Sequence, residues 1–79
     1  MQIVFIEREP VELYKILKFE GIAGSGGQAK QLIEDREVTV NNEIETRKRR
    51  KMLAGDVVSV FDITFTLQLS STNDSARSN

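Results

Sequence analysis

Residues 24–33 hold three glycines around one serine and then take on a helical pattern, so they mark where a helix begins. Ser25 suits the N-cap position, because its hydroxyl can accept a hydrogen bond from an amide of the first turn. Gln28 follows three residues later and completes a Ser-x-x-Gln capping box. The helix is expected to end near Asp35, with one apolar face formed by Ala29, Leu32 and Ile33.

The first helical positions are Gly26 and Gly27, and glycine is a poorer helix former than alanine by roughly 1 kcal/mol per residue. Bare backbone at this end would let an anion approach free amides at the positive end of the helix dipole. A simple turn between two helices explains the same glycines, and the local pattern alone favours that explanation.

The rest of the chain predicts an α+β domain with two helices packed on a short, mainly antiparallel sheet of four to five strands. Gln2–Ile6 is β-branched and aromatic and predicts a first strand. Pro10 suits the first position of an earlier helix that ends at Gly21. Four short strands are predicted after the capped helix, at residues 38–40, 43–46, 57–61 and 63–69. Turns are predicted at residues 41–42, 54–56 and 62.

With 79 residues, the chain has room for one small domain, which we place at residues 1–69, followed by a disordered polar tail at residues 70–79. Cysteine and histidine are both absent, which excludes a disulfide and the usual zinc sites. No apolar run is long enough to span a bilayer, and no signal peptide is recognised. We expect a cytoplasmic monomer without a cofactor.

Catalysis has little support in the sequence. Without His and Cys, the most common general base and the thiol nucleophile are missing. The acidic residues are scattered along the chain, as is typical of a solvated surface. The capping role of Ser25 is sufficient to explain the presence of that serine. We therefore expect a protein that is not an enzyme.

Residues 47–51 are five consecutive basic residues, Arg-Lys-Arg-Arg-Lys, which we call the basic segment. The formal net charge of the chain is −1, so an argument for nucleic acid depends on where the charges lie. Arginine suits bidentate contacts to phosphate, and Glu43 and Glu45 could offset part of the segment's charge. In an extended strand, Arg47, Arg49 and Lys51 would face one side and the other two cations the opposite side, unless the segment is an open loop.

Taken together, these elements resemble the S-four RNA-binding domain family, the αL motif, and within it the small stand-alone bacterial YbcJ-like branch. The resemblance covers most of residues 10–61. The matching motifs are Val11-Glu12-Leu13, Leu17-Lys18-Phe19-Glu20-Gly21, Ser25-Gly26-x-Gln28-Ala29-Lys30, Val38-x-Val40, Glu45-Thr46-Arg47-Lys48-Arg49 and Ala54-Gly55.

The resemblance implies a non-catalytic protein that binds structured RNA, ribosomal or transfer RNA, within a ribosome or another RNA–protein complex. It implies an RNA-binding surface built from the two helices and the hairpin that follows them, with the named contacts on the second helix and the basic segment. The implied residues are Ser25, Gly26, Gln28, Lys30, Gln31, Thr46, Arg47, Lys48 and Arg49, and the charge of Arg50 and Lys51 extends the patch.

Three positions depart from the wider family pattern. Gly26 stands where an arginine usually follows the serine, although the stand-alone branch shares this glycine. Arg36 stands at a helix end where glycine is usual, so the helix end must differ from the family pattern or be mildly strained, and Asn42 replaces a turn glycine. The alternative function is a protein-binding adaptor that uses the same fold on an acidic partner.

Overall fold

The computed structural model describes residues 1–70 of the 79. In chain order, the elements are β1 (Gln2–Ile6), β2 (Val11–Glu12), α1 (Leu13–Phe19), α2 (Gly26–Glu34), β3 (Val38–Val40), β4 (Glu43–Ile44), β5 (Lys51–Met52), β6 (Val57–Val60) and β7 (Ile63–Leu69). The predicted tail lies outside the described residues except for Ser70, whose amide donates a hydrogen bond of 2.7 Å to the Ile6 carbonyl.

Five strands form one sheet in the order β1-β7-β6-β3-β4. The β1–β7 pair is parallel, and the three other pairs are antiparallel. The α+β fold with two helices and a mainly antiparallel sheet is thus confirmed. β2 and β5 form a separate two-stranded ladder beside α1.

The core lies between the helices and one face of the sheet, and alternation along the strands explains which side chains enter it. The inward residues of β6 and β7 are buried while their neighbours are not. The two helices contribute one buried stripe each. The most deeply buried side chains include Leu13, Leu17, Ile33, Val58, Val60, Phe65 and Leu67.

Positive φ angles occur at several predicted turns and helix ends. Gly21 ends α1 with φ 73°, and the turn after β3 has φ 53° at Asn41 and 72° at Asn42. Arg36 follows α2 with φ 66°, so a residue with a side chain occupies the left-handed position where glycine is favoured. Phe61, next to the predicted turn residue 62, has φ 55°.

The prediction that Pro10 begins the first helix is wrong. Val11 and Glu12 instead pair with Met52 and Lys51 in the β2–β5 ladder, and α1 begins at Leu13. A local pattern could not reveal this, because the partner strand lies about forty residues further along the chain. The strand predicted at residues 43–46 is also shorter, since β4 contains only Glu43–Ile44.

Candidate nucleic-acid interface

The start of α2 has the predicted cap. The amide of Gln28 donates a hydrogen bond of 3.1 Å to the Ser25 hydroxyl. In a capping box the Gln28 side chain would accept from the amide of Ser25. Here its oxygen accepts instead from the amide of the preceding residue, Gly24, at 2.7 Å. Gly26 and Gly27 are the first two helical residues, whose amides have no acceptor within the helix.

Two faces of α2 carry different parts of the predicted site. Gly26, Lys30 and Glu34 are spaced by four residues and lie toward α1 and the basic segment. A Cβ at Gly26 would lie 3.6 Å from the Tyr14 ring, and Glu34 pairs with Lys48. Gln28 and Gln31 line a separate shallow depression with Leu32 and Phe61, among others. The structure therefore brings Lys30, but not these two glutamines, to the basic segment.

The basic segment is a loop with a tight turn and not a continuous strand. The amide of Arg50 donates to the Arg47 carbonyl at 3.2 Å, and Lys51 alone of the five lies in a strand. Two carbonyls of the segment accept hydrogen bonds from the first turn of α1: Leu13 donates to Arg50 at 3.0 Å and Tyr14 donates to Lys48 at 3.1 Å. The alternation expected of an extended strand therefore does not apply.

Glu45 lies beneath this loop. Among residues 1–70 it is the one charged residue that is buried, and its side chain is 7% exposed. Its Oε2 accepts from the backbone amide and Nε of Arg47, each at 2.9 Å. Its Oε1 accepts from Nη2 of Arg47 at 2.9 Å and from Nη1 of Arg50 at 2.7 Å. One carboxylate thus holds two arginines and the turn between them.

The ionisation of Glu45 follows from these contacts. The hydrogen bonds from Arg47, opposed by burial and reinforced by Arg50, lower the pKa of the Glu45 carboxyl to about 2. The same pairing raises the pKa of the Arg47 guanidinium. The ion pair is therefore fully formed at neutral pH.

The other cations of the segment meet two further carboxylates. Glu12 lies 3.6 Å from Nη1 of Arg49 and 3.9 Å from Nζ of Lys51, and 3.5 Å from Nζ of Lys15 on α1. Partial burial opposes ionisation of Glu12, but these three cations outweigh it and hold the pKa of its carboxyl below the ordinary value. Glu34 on α2 pairs with Lys48.

The ring of Tyr14 lies at the junction of α1, α2 and the basic segment. Nζ of Lys30 lies 4.6 Å from the ring centroid, and the guanidinium carbon of Arg49 lies 5.6 Å from it. Nζ of Lys15 lies 6.0 Å away. Cations at these distances are attracted to the negative ring face, so the ring draws cations from three elements together. The sequence analysis did not name Tyr14 as a site residue, because its pattern indicates only that it adds to the apolar share of the first helix.

We call the surface formed by these groups the basic face. Its seven cations are Lys15, Lys30 and residues 47–51, and its three carboxylates are Glu12, Glu34 and Glu45. Arg47, Arg49, Arg50 and Lys51 line one open depression on it. Thr46 is exposed between Glu45 and Arg47. The excess of positive charge suits the face to a polyanion.

Within residues 1–70 there is no group of three or more His, Cys, Asp or Glu side chains placed to hold a metal ion. Within the same residues, none of the helices has the length and apolar character needed to cross a membrane.

Comparisons with known proteins show the family and the fold to which the chain is similar. The family model of the S4 domain, the S-four domain of the sequence analysis, matches residues 4–68. The chain is 51% identical over 49 residues to the putative RNA-binding protein YbcJ of Escherichia coli, covering 62% of this chain and 70% of YbcJ. It is 39% identical over 57 residues to the probable ribosome maturation protein RlbA of Bacillus subtilis, covering 72% of this chain and 80% of RlbA.

A solved structure is also similar. The solution structure of YbcJ from E. coli, described as having an αL motif involved in RNA-binding, matches with a TM-score of 0.66 and 39% sequence identity. The match covers 86% of this chain and 87% of that one.

Proposed function

The chain belongs to the S4 domain family, and from that premise we propose that it binds structured RNA, ribosomal or transfer RNA, without catalysing a reaction. In this mechanism, the cations of the basic segment neutralise phosphates. The amides and side chains at residues 25–31 set the orientation of the bound RNA. Phosphate contacts of this kind position a protein without specifying a sequence.

The observation that carries the proposal is the convergence of cations from three elements on one face. Lys30 and Arg49 meet over the ring of Tyr14 although they lie on different elements. Seven cations face three carboxylates there, while the whole chain has a net charge of −1. Such a concentration of positive charge raises the local concentration of a polyanion and releases counterions on binding.

Two features support the RNA class. RlbA carries the name of a probable ribosome maturation protein, which favours ribosomal RNA. Tyr14 is partly buried and has cations over its ring, so it offers little open surface to a stacking base. Recognition by shape and phosphate suits a folded RNA better than a single strand read by its bases.

The sequence-predicted residues enter the mechanism in different ways. Gln28 shapes the loop before α2 through its bond to Gly24. Ser25 caps α2 by accepting a hydrogen bond from the Gln28 amide, and Gly26 presents an amide without an acceptor in the helix beside Tyr14. Thr46 is exposed beside Arg47 and is proposed as a rim contact of the basic face. Gln31 lies in the separate depression with Gln28, where it is proposed to contact RNA outside the basic face.

An exposed groove gives specific support to the alternative adaptor function. Phe5 and Phe19 are 62% and 69% exposed and flank a groove between β1 and α1. Arg8 and Lys15 lie in the adjoining depression with Phe19. An acidic peptide with one large apolar side chain would suit this combination, and large exposed apolar surfaces commonly mark protein-binding sites.

Matched double variants test the RNA proposal. Lys30→Gln with Arg49→Gln removes two cations that meet over Tyr14 and leaves the Glu45 cluster intact. Lys18→Gln with Arg36→Gln removes the same charge from exposed positions that take no part in the ion pairs of the basic face. Binding of each protein to ribosomal and transfer RNA is measured by fluorescence anisotropy at about 100 mM salt.

Loss of two phosphate contacts should weaken binding by the first variant on the order of tenfold, while the control should stay within about twofold of the natural chain. Equal losses in both variants would contradict a localised site. Absence of RNA binding by the natural chain, together with capture of an acidic peptide, would establish the adaptor function instead.

A further inference from the structure

Glu45 has an unusual place for a carboxylate in a surface meant for phosphate. It carries negative charge at the centre of the basic face and is buried there, with 7% of its side chain exposed. An acidic group at this point lowers the attraction of the face for a polyanion. Its presence therefore needs a reason other than long-range charge.

The hydrogen bonds of Glu45 use only part of each arginine. A guanidinium has five N–H donors, and Arg47 gives Nε and Nη2 to Glu45. Its Nη1 and the second hydrogen of Nη2 remain, on a side chain that is 72% exposed. Arg50 donates one hydrogen bond from Nη1 to Glu45, and its side chain is 28% exposed. Both guanidinium groups keep donors for a phosphate while their orientation is fixed.

Fixing the orientation reduces a cost of binding. A free arginine side chain has many rotamers, and immobilising each such side chain at an interface opposes association. Arg47 is held by two parallel N–H···O bonds to one carboxylate, a geometry that defines its plane. The turn between Arg47 and Arg50 is held by the same group through the Arg47 amide.

We propose that Glu45 is a positioning residue of the RNA site, which holds Arg47 and Arg50 in the orientation that receives phosphate. The proposal rests on the proposed RNA-binding function and adds an internal carboxylate to its machinery. Glu34 differs, because it is exposed and meets a single flexible lysine. Only Glu45 combines burial with bonds to two arginines in the part of the chain that the structure describes.

Glu45→Gln and Glu34→Gln distinguish positioning from plain electrostatics, because each removes one negative charge from the basic face. If the cations act as independent charges, both variants should bind RNA more tightly than the natural chain. If Glu45 positions the arginines, Glu45→Gln should bind on the order of tenfold more weakly. Glu34→Gln should bind equally or up to about threefold more tightly. Circular dichroism verifies that both variants are folded.

Charge-conserving variants address the case in which Glu45→Gln does not fold. Arg47→Lys keeps the charge but loses the two-bond fork, so affinity should fall about fivefold with an unchanged salt dependence. Arg36→Lys is the control, since the exposed Arg36 takes no part in the ion pairs of the basic face, and it should change affinity by no more than about twofold.

An NMR measurement gives a readout that general loss of stability would not change. The Nε–H of Arg47 should appear as a separate, slowly exchanging signal in the free protein and persist when RNA is added. Tighter RNA binding by Glu45→Gln, or equal losses in the two lysine variants, would overturn the positioning role alone. Absence of RNA binding by the natural chain would overturn the proposed function, while the Arg47 signal would still report the contact with Glu45.

Discussion

The amide of Tyr14, in the first turn of α1, donates a hydrogen bond of 3.1 Å to the carbonyl of Lys48 in the basic segment. The neighbouring amide of Leu13 donates to Arg50 in the same way. Helix amides that would otherwise lack an acceptor are thereby satisfied by a loop distant in sequence. The backbone of the basic segment is therefore held by the helix, and its side chains extend from a fixed frame.

The Tyr14 ring should matter for both stability and RNA binding. Tyr14→Leu removes the ring from Lys30 and Arg49, which should lower the free energy of unfolding by about 1 kcal/mol. RNA affinity should fall about two- to fivefold, because the two cations lose their common support. Tyr14→Phe keeps the ring and should resemble the natural chain in urea unfolding and in RNA binding. A Tyr14→Phe variant as weak as Tyr14→Leu would contradict the role of the ring face.

The depressed pKa of Glu45 predicts a loss of stability in acid. The folded-state pKa of about 2 lies below the ordinary value of 4.5, so the stabilisation is fully present above about pH 5 and is lost as pH falls toward 2. Because the Arg47 partner is mostly solvent-exposed, we expect about 1–2 kcal/mol after allowance for solvent screening. Urea unfolding between pH 6 and pH 2 measures this, and Glu45→Gln should show a flatter dependence. Parallel curves for the two proteins would contradict the assignment.

Arg36 should be a site of mild strain after α2. Its φ of 66° lies in the left-handed region, which disfavours residues with a Cβ. Arg36→Gly should raise the free energy of unfolding by about 0.5–1 kcal/mol and the melting temperature by roughly 3–6 °C. Arg36→Ala removes the same charge without relieving the strain, so it should give no such gain. Equal gains in both variants would indicate an effect of charge rather than of backbone conformation.

The two glycines at the start of α2 should differ in their effect on RNA. A Cβ at Gly26 would lie 3.6 Å from the Tyr14 ring, whereas the nearest atom to one at Gly27 is the Ser25 hydroxyl at 3.9 Å. Both distances are ordinary contacts, so Gly26→Ala and Gly27→Ala should each be at least as stable as the natural chain. Gly26→Ala should weaken RNA binding about two- to fivefold, because it covers amides beside the basic face. A similar effect of Gly27→Ala would contradict this.

Much of the fold could be predicted from local sequence. The alternation within Ile63–Leu69 and the cap at Ser25 both report directly on backbone conformation, and both are confirmed. The start of α1 could not be predicted, because pairing of Val11 with Met52 decides it and no local pattern reports that contact.

The candidate site was predictable in part for the same reason. The basic run itself was visible, but the burial of Glu45 was not, since exposed Ile44 precedes it and an alternating pattern would bury the isoleucine. The convergence of Lys30 and Arg49 on Tyr14 also depends on packing between elements. The chemical character of the site could therefore be predicted from the sequence, whereas the arrangement of its side chains in space could not.

The salt dependence of RNA binding by the natural chain tests the central claim most directly. Affinity for ribosomal and transfer RNA is measured at several salt concentrations, and the logarithm of the binding constant is plotted against the logarithm of the salt concentration. If the basic face neutralises about four phosphates, binding should weaken on the order of 50-fold between roughly 50 and 200 mM salt. Binding that is absent at the lowest salt, or that does not change with salt, would contradict an RNA site built from the basic face.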